Sequence, residues 1–294
     1  MIKTAAQSEY SKVDWITTGI ASLDKILGGG IPTKRITEVS GREGLGKTTL
    51  GFMVVAQAQK AGLKTLWCDQ EWVWEDAYPK SLGVDLNKLF LLQERIAEAT
   101  IDQVEEFAEE NKNSLIVIDS VGGLLSRQEA EKTSEGKTIG GQAGMMARFC
   151  RKIVPALAIN NHALLVINHE FVDIMSGRIM TSGGAKLSYH KSIALRLKNG
   201  NKKVMQGENQ VGELVLAEIK KNKLAPTMKQ ECDLTMIYGC GFSREADAMQ
   251  DALDKGIITK QGQFYYMNGE KVARGLNALR EKFKDEAFVS SLKS

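Results

Sequence analysis

Cysteine is scarce in this sequence: it contributes four of 294 residues, and no pair has the CxxC spacing of a zinc or redox site. The three histidines are also scattered along the chain. A disulfide framework and a zinc site are therefore both disfavoured, and the composition is typical of a protein kept in a reducing compartment. We expect the cysteines to be small buried thiols; they are Cys68, Cys150, Cys232 and Cys240.

Long apolar runs are absent as well. No stretch approaches the ~20 apolar residues that a membrane span needs, and the N-terminal segment MIKTAAQSEYSKVDW has no apolar signal core. We therefore expect a cytoplasmic protein, located in the host cytoplasm if a virus encodes it. The formal net charge is only +3. That is too small to indicate a nucleic-acid partner, so any argument for DNA binding depends on local charge.

The chain does contain short apolar runs that alternate with helical patterns, which predicts an α/β fold with a mainly parallel sheet covered by helices. Strands are predicted over 36–40, 65–69, 89–92, 114–119 and 163–168, and helices over 47–60, 101–110 and 142–159. From residue 192 onward three strand-like segments follow one another, SIALRLK, GELVLAEIKK and CDLTMIY. They predict an antiparallel extension of the same sheet.

A third pattern begins near Ser243, where a helix over 245–255 precedes a β-hairpin and a final helical stretch. The pair Asn268-Gly269 lies between QFYYM and EKVA and predicts a two-residue hairpin turn, because both positions can adopt a positive φ. We place a boundary near residue 242. The predicted organisation is a lead-in segment (1–35), a core (36–242) and a small α+β C-terminal domain (243–294).

Two segments rich in glycine, serine and charge follow buried strands, at about 121–141 and 170–184. In an open α/β sheet such segments lie at the carboxyl edge of the strands, where ligands bind. We predict that both are mobile loops at that edge.

The sharpest local signal is GREGLGKT, which matches the P-loop pattern GxxxxGK[ST] between a predicted strand and a predicted helix. Gly41, Gly44 and Gly46 allow the backbone to curl so that several N–H groups point at one anion, and the helix N-terminus adds its positive end. Lys47 can reach the β- and γ-phosphates, and the Thr48 hydroxyl can ligate Mg²⁺. The pattern predicts an ATP and Mg²⁺ site; the alternative is a glycine-rich turn without a ligand.

Carboxylates end two neighbouring predicted strands. Asp119 closes the apolar run LIVID, where a metal-supporting aspartate is expected; an ordinary strand-end cap is the alternative. Glu71 follows the strand TLWCD and is well placed to activate the attacking water. Asp69 competes for this role, because on an extended chain Asp69 and Glu71 point to the same face.

Taken together, the motifs resemble those of bacterial RecA-type recombinases. The segments TTGIASLDKILGGGIP, GREGLGKTTL, DQE, AYPKSLGVDLNKLFLLQ, LIVIDSVGGLL and KKNKLAPTMKQECDLTMIYGCGFS occur in the order and at the spacing of that family. The similarity continues through GIITKQGQFYYMNGEKVARG into the small C-terminal domain. Few residues precede the first matched motif, and the chain ends EAFVSSLKS, without the acidic tail of the bacterial family members.

The resemblance implies roles around ATP. Glu71 would be the catalytic carboxylate, Tyr78 would stack on adenine with Glu75 or Asp76 near its amino group, and Asp119 would support Mg²⁺. The remaining nucleotide-binding residues would come from the P-loop segment; they are Gly41, Arg42, Glu43, Gly44, Leu45, Gly46, Lys47, Thr48 and Thr49.

The KKNK motif carries a further implication, since Lys221 and Lys223 would reach the ATP of the neighbouring subunit. Cations supplied in trans would make hydrolysis depend on assembly, as arginine fingers do elsewhere. A solvated basic strand end is the alternative interpretation.

The two mobile segments would be DNA-binding loops. The resemblance places Gly183 and Gly184 where backbone amides approach a DNA phosphate, and Arg151 where the family has a DNA-contacting arginine. Residues 185–229 carry ten Lys or Arg against three Glu, and such a surface can neutralise phosphates without reading bases. Its candidate DNA-contacting lysines include Lys186, Lys198, Lys202 and Lys203; a solvated charged face is the alternative.

One departure from the family pattern concerns the γ-phosphate sensor, which is usually a glutamine after the strand-ending asparagine. Here that residue is His169, in the segment INHE. An imidazole can also donate a hydrogen bond to phosphate, so the relay to the second loop is expected to survive. Histidine at this position also resembles phage versions of the family. A buried structural histidine is the alternative.

The resemblance therefore implies a DNA-dependent ATPase that forms filaments on single-stranded DNA and pairs it with homologous duplex in recombination and DNA repair, the small C-terminal domain contacting the duplex. Two other functions are compatible with the fold. One is a ring helicase; the other is a DNA-binding accessory protein that uses ATP as a structural clip. Glu71 favours hydrolysis over the second, and the match through both loops and the C-terminal hairpin disfavours the first.

Overall fold

The computed structural model describes residues 12–131, 141–173, 177–225 and 230–292. Two short antiparallel strands, β1 (Trp15–Ile16) and β2 (Ile31–Pro32), enclose helix α1 (Ala21–Leu27) and lead into the core. A large sheet follows. Its strands are, in chain order, β3 (Ile36–Gly41), β4 (Lys64–Asp69), β5 (Leu89–Leu92), β6 (Ser114–Asp119), β7 (Ala163–Val172), β8 (Ile179–Thr181), β9 (Ile193–Gln206), β10 (Asn209–Asn222), β11 (Glu231–Ile237) and β12 (Gly241–Phe242).

The strand order β12-β11-β10-β9-β3-β7-β6-β4-β5 confirms the predicted architecture of a parallel sheet with an antiparallel extension. Strands from β9 to β5 in that order pair in parallel, and β10, β11 and β12 add antiparallel ladders. The central strands β3 and β6 are buried at every position, as expected for parallel strands covered on both faces. Their carboxyl ends therefore meet at one edge, where Gly41 pairs with His169 and Asp69 pairs with Asp119.

Helices cover both faces of the sheet. In the core they are α2 (Lys47–Lys60), α3 (Ala77–Ser81), α4 (Ala97–Glu110), α5 (Arg127–Ala130), α6 (Gly141–Asn160) and α7 (Gly184–His190). One apolar cluster packs α1 and α2 on one face, and a second packs α4, α6 and α7 on the other. Helix α4 buries Ala97, Ile101, Val104 and Ala108, a spacing of three or four residues that lays one apolar stripe on the sheet.

The segment 170–184 departs from the sequence prediction of a loop. Strand β7 continues through Val172 and pairs antiparallel with β8, with Glu170 opposite Thr181 and Val172 opposite Ile179. Helix α7 then begins at Gly184. The prediction failed here because the overall glycine, serine and charge content of the segment hid six residues, four of them apolar, that obtain their backbone partners from each other. Part of the first predicted loop, 132–140, and residues 174–176 lie outside the described residues, as does the segment 1–11.

The C-terminal residues form a small unit with its own apolar cluster around Tyr265, Leu279 and Phe283. Its elements are α8 (Arg244–Asp254), β13 (Ile258–Gln261), β14 (Phe264–Met267), β15 (Glu270–Arg274), α9 (Leu276–Lys282) and α10 (Glu286–Ser291). The hairpin turn lies where the sequence predicts it, with φ of 52° at Asn268 and 83° at Gly269. Asp247 of α8 accepts a hydrogen bond from the Ser22 amide at the start of α1, at 3.2 Å.

Among the described residues, no helix is long and apolar enough to cross a membrane. Three of the cysteines are buried as expected, but Cys240 is exposed. Cys240 follows β11 in the turn before β12, where it is too close to the surface to be covered.

Candidate functional site

The candidate phosphate-binding loop connects β3 to α2. Gly46 has a φ of 78° and immediately precedes Lys47, the first residue of α2. A Cβ at position 46 would lie 2.9 Å from the Met236 sulfur and 2.9 Å from Cζ of Phe242. Backbone conformation and packing therefore both require glycine here. The result is a helix N-terminus that opens at the carboxyl edge of the sheet, the arrangement that binds phosphate.

The Lys47 side chain lies over this loop, and its Nζ donates to the Arg42 carbonyl oxygen at 2.9 Å. Lys47 is buried. Burial lowers the pKa of its ammonium group, while the carboxylates of Asp119 and Glu71 act in the opposite direction. A phosphate bound in the loop would supply the counter-charge that a partly desolvated ammonium lacks.

The Thr48 hydroxyl donates to Oδ2 of Asp119 at 2.8 Å. This contact joins the start of α2 to the end of β6, although 71 residues separate the two side chains in sequence. The two residues that the sequence analysis assigns to a metal are therefore in direct contact.

The environment of Asp119 suits a divalent cation. Its other oxygen, Oδ1, is buried without a hydrogen-bond partner among the described residues. Burial raises the pKa of this carboxyl to about 7, with the Thr48 hydrogen bond opposing the shift. A hard cation would satisfy the orphaned oxygen and the buried charge together, and oxygen ligands are those that Mg²⁺ prefers. The residues present thus fit Mg²⁺.

Glu71 and Asp69, the two candidates for the water-activating carboxylate, have different surroundings. Oδ1 of Asp69 accepts from the amides of residues 71 and 72 at 3.1 Å and 3.0 Å, and Oδ2 accepts from Gln93 at 2.9 Å. Asp69 therefore caps the turn after β4. Glu71 instead reaches across to His169, whose Nε2 lies 2.7 Å from its Oε1. An ionised carboxylate can only accept, so Nε2 donates this bond.

The phosphate loop, Glu71 and His169 line a single cavity of about 360 Å³ at the carboxyl edge of the sheet, whereas Asp69 and Asp119 do not line it. The lining residues that the sequence analysis proposes are Glu43, Gly44, Gly46, Lys47, Thr48, Thr49, Glu71, Tyr78 and His169. Tyr78 is held by the Thr49 hydroxyl, 2.6 Å from its own, and by an edge-on contact with Phe52 at 6.1 Å between ring centroids. The cavity thus combines a phosphate loop, a carboxylate, an imidazole and an aromatic ring.

Several other candidate residues lie away from this cavity surface. Leu45 packs into the apolar core, Gly41 closes β3 beneath the loop, and Arg42 contributes its backbone carbonyl. The side chains of Glu75 and Asp76 are exposed; the former accepts from the Ala77 amide at 3.3 Å and the latter from the Trp74 indole at 2.9 Å.

Four cavity residues were missed by reasoning from the sequence: Met236, Ile237, Tyr238 and Gly239. They end β11 and begin the turn to β12. The glycine-rich turn after a strand was a usable signal. Its position opposite the phosphate loop depends on the antiparallel β10–β11 pairing and on the packing of Phe242 against Gly46, which no local pattern reveals.

Lys221 and Lys223 do not line the cavity of their own chain. Lys221 on β10 pairs with Ala194 on β9, and Ala194 in turn pairs with Glu38 on β3. Glu38 lies three positions before the end of β3. Both ammonium groups donate to carbonyl oxygens at the end of α7. Both lysines are therefore held at the end of α7, outside the candidate nucleotide cavity of their own subunit.

The candidate DNA residues fall into two groups. Arg151 on α6 and Lys186 on α7 are exposed on helices that share the second apolar cluster, and Lys186 follows Gly183 and Gly184 at the start of α7. Gly183 has a φ of 90°, and a Cβ there would lie 2.7 Å from Leu187.

The second group lies along β9. Lys202 and Lys203 are exposed near the tip of the β9–β10 hairpin, beside a cleft that Val204 and Met205 share with the C-terminal unit. Lys198 differs, because its Nζ pairs with Glu218 at 2.8 Å. The lysines of the basic segment 185–229 therefore lie on different surfaces of the protein.

Comparison with known proteins agrees with this geometry. Residues 1–243 match the family model of the RecA N-terminal domain. The chain is 33% identical to Protein RecA of Ureaplasma parvum serovar 3 over 291 residues, covering 97% of this chain and 86% of that protein. It is 36% identical to Protein RecA of Mycoplasma genitalium, covering 92% and 82%, and 34% identical to Protein RecA of Thermus aquaticus, covering 93% and 82%. The match spans the phosphate loop, both carboxylates and the lysine pair, and the chain belongs to the RecA family.

Proposed function

We propose that this protein is an ATP-dependent recombinase that assembles on single-stranded DNA and pairs it with homologous duplex. The observation that carries the proposal is the cavity of about 360 Å³ in which the phosphate loop, Glu71, Tyr78 and His169 converge. In a member of the RecA family, this set of groups provides what hydrolysis of a nucleoside triphosphate requires.

The phosphate loop would bind the triphosphate through its backbone amides, and Lys47 would neutralise the β- and γ-phosphates. Thr48 and Asp119 would hold Mg²⁺, which when bound neutralises charge on the phosphate oxygens. Tyr78 would stack on the adenine ring, with Glu75 or Asp76 near its amino group. Lys47, Thr48 and Tyr78 line the cavity themselves, and Asp119 is joined to it through the Thr48 hydroxyl. The roles of Glu75 and Asp76 are those that the family resemblance implies.

Glu71 would accept the proton of the attacking water while the bond from the γ-phosphorus to the bridging oxygen breaks. The hydrogen bond from His169 would favour an orientation of Glu71 that faces the cavity. Lys221 and Lys223 would approach the triphosphate from the neighbouring subunit, since they do not reach the cavity of their own chain. Turnover would then require assembly.

The end of β7 would link the nucleotide to DNA. His169 faces the cavity, and its neighbour Asn168 points to the other face of the sheet. There Asn168 donates to the Ser182 carbonyl oxygen at 2.9 Å and accepts from the Ser182 amide at 3.2 Å. A displacement of His169 by a γ-phosphate would therefore pull on the residue that precedes Gly183 and Gly184. This gives the proposed sensor a direct connection to the second DNA-binding segment.

DNA contacts would be made through the sugar–phosphate backbone by Arg151, Lys186, Lys202 and Lys203, together with the amides at Gly183 and Gly184. Contacts of this kind accept any base sequence, as a protein that tests homology by base pairing must. We further propose that the unit over 243–294 contacts duplex DNA and that the protein acts in the cytoplasm.

The test is ATP turnover with and without single-stranded DNA, followed by D-loop formation with homologous duplex. Wild-type protein should hydrolyse ATP faster with DNA and form D-loops, whereas Lys47→Ala should do neither and Glu71→Gln should lose turnover while retaining ATP binding. Closed hexamers that unwind a forked duplex without exchanging strands would replace this proposal with a helicase. Wild-type turnover that matches Glu71→Gln and ignores DNA would leave only an ATP-clipped accessory protein.

A further inference from the structure

The last turn of α7 holds the two lysines that the proposed function assigns to the neighbouring subunit's ATP. Lys221 Nζ donates to the Ser188 carbonyl oxygen at 2.6 Å, and Lys223 Nζ donates to the Tyr189 carbonyl oxygen at 3.0 Å. Carbonyls at a helix C-terminus have no partner within the helix and carry its negative end, so they attract ammonium groups. The position of α7 therefore determines the position of both ammonium groups.

Helix α7 is only seven residues long, and Gly183, the N-cap residue that precedes it, provides no side-chain cap. A helix this short has little stability of its own in water. It must be held by tertiary contacts, and at its N-terminal end these include the packing of Leu187 in the second apolar cluster. Its C-terminal end requires a separate anchor.

That anchor is an ion pair buried beneath the helix end. Lys191, the residue that follows α7, bonds through Nζ to Oε2 of Glu38 on β3. The residues are 8% and 2% exposed. The second carboxylate oxygen of Glu38 accepts from the Asn168 amide at 3.1 Å and from the Thr181 hydroxyl at 3.4 Å. A buried carboxylate with this many partners is fixed in place.

The charges at this corner are unbalanced. Desolvation lowers the pKa of Lys221, the positive charges of Lys223 and Lys191 lower it further, and Glu38 acts in the opposite direction. Three ammonium groups thus share a small region in which Glu38 supplies negative charge. Without the carboxylate, mutual repulsion would favour separation of the lysines.

We propose that Glu38 and Lys191 form a positioning pair, which fixes the end of α7 to β3 so that Lys221 and Lys223 are presented to the neighbouring subunit's triphosphate. The inference rests on the proposed function. Neither residue touches the nucleotide; both act through the carbonyls of α7. The physical basis is orientation, because a flexible lysine contributes to a transition state only when its starting position is already defined.

The Glu38–Lys191 pair would promote hydrolysis of the neighbouring subunit's ATP and not of the ATP in its own subunit. Assemblies that mix two variants can distinguish these two cases. The variant Glu38→Gln/Lys191→Met removes both charges together, so that no unpaired charge is left buried. Its subunits keep an intact phosphate loop and Glu71 but should present the lysines poorly. Subunits carrying Glu71→Gln have the opposite defect, since their lysine pair is intact.

Each variant alone should turn over ATP on single-stranded DNA at least about tenfold more slowly than wild type. In an equal mixture, about a quarter of the interfaces combine a working Glu71 with a working lysine pair, so turnover should recover to about a quarter of the wild-type value. ATP affinity of the double variant should be unchanged. Unchanged turnover of the double variant, or a mixture no more active than the mean of its components, would overturn the proposal.

Lys34→Met is the matched control for loss of stability. It also removes a buried ammonium, one that donates to the Lys12 carbonyl oxygen at 2.6 Å in the turn before β3. Thermal unfolding of both variants should show comparable losses, but Lys34→Met should retain turnover on its own. If the wild-type protein itself shows no DNA-dependent turnover, the proposed function has failed; active wild type with no recovery in the mixture refutes the positioning pair alone.

Discussion

At the scale of single residues, two aspartates of this protein differ because their surroundings differ. Asp69 and Asp119 end neighbouring strands at the same level of the sheet. Both carboxylate oxygens of Asp69 accept hydrogen bonds, one from the turn after β4 and the other from Gln93, whereas Asp119 keeps one buried oxygen without a partner among the described residues. The first therefore stabilises the fold, whereas the second keeps a buried carboxylate oxygen that a bound cation would satisfy.

Asp119→Asn should stabilise the nucleotide-free protein. The raised pKa of Asp119, about 7 in the folded chain, means that its contribution to stability is fully present below the unfolded pKa and is lost as pH rises through about 7. At pH 8 the variant escapes this loss, so its free energy of unfolding in urea should exceed that of wild type by on the order of 1–3 kcal/mol. Stabilisation by Mg²⁺ with nucleotide should disappear. Equal stability of the two proteins at pH 8 would show that burial does not destabilise the ionised carboxylate.

His162 should produce the opposite pH dependence. Its Nδ1 accepts from the Ser114 amide at 3.2 Å and its Nε2 donates to the Ala108 carbonyl oxygen at 2.9 Å, so the ring is neutral in the fold. Burial lowers the pKa of His162. The unfolded chain therefore takes up the proton first, and stability is lost as pH falls below about 6.5.

The measurement is the change in unfolding free energy between pH 8 and pH 5.5 in an Asp119→Asn background, which removes the competing titration. His162→Gln should reduce this change by about 1 kcal/mol. A pH profile that is identical with and without the imidazole would contradict the expectation.

At the scale of elements, the connection from β3 to α2 depends on two glycines that share a positive φ but have different surroundings. Gly44 and Gly46 both have a φ of 78°, yet a Cβ at position 44 would meet nothing within 4 Å. At position 46 it would meet Met236 and Phe242 at 2.9 Å. The first substitution therefore isolates backbone strain, and the second adds a steric clash between elements.

Gly44→Ala should lower the free energy of unfolding by about 1–2 kcal/mol, the usual effect of a left-handed conformation in a residue with a Cβ. Gly46→Ala should lower it further, because the β11–β12 turn must move away from α2. That movement also displaces Tyr238 and Gly239 from the cavity, so ATP affinity should fall more than for Gly44→Ala. Urea unfolding and nucleotide binding of both variants provide the comparison. Equal losses of stability and of ATP affinity would mean that the β11–β12 turn moves away from α2 without cost.

Most elements of the core were predictable because their patterns are local. Strand β6 is an unbroken apolar run and α2 begins at the P-loop lysine. Helix α4 begins at Ala97 rather than at the predicted residue 101, because the Ala97 amide donates to the Leu125 carbonyl oxygen, at 2.8 Å, in a distant segment. The extension of β7 into the predicted second loop was missed for a different reason, since its partner β8 lies in the same glycine- and serine-rich segment.

At the scale of the whole molecule, the positive charge that the sequence concentrates in one segment is distributed over separate surfaces. Lys186 is exposed on α7, whereas Lys198 is paired with Glu218 on the neighbouring strand. A lysine that already has a carboxylate partner releases fewer counterions when it meets DNA. Sequence proximity is therefore a poor guide to which lysines contact the strand.

Lys186→Gln should reduce the steepness of the salt dependence of single-stranded DNA binding. Loss of one phosphate contact lowers the magnitude of the slope of log affinity against log salt by about 0.7. Lys198→Gln, the control on β9, should change the slope by clearly less. Fluorescence anisotropy with labelled oligonucleotide over a range of salt concentrations measures both. A larger effect of Lys198→Gln would place the DNA on the β9–β10 face instead.

The sequence by itself determined the chemistry of this protein: a phosphate loop, the carboxylates Glu71 and Asp119, and the family to which the chain belongs. These depend on residue type and short spacing, which a linear pattern contains. Only the tertiary structure decided which groups meet, because sheet order and strand pairing connect positions far apart in sequence. The contact of His169 with Glu71, the β11 turn opposite the phosphate loop, and the lysines held by α7 all arise in this way.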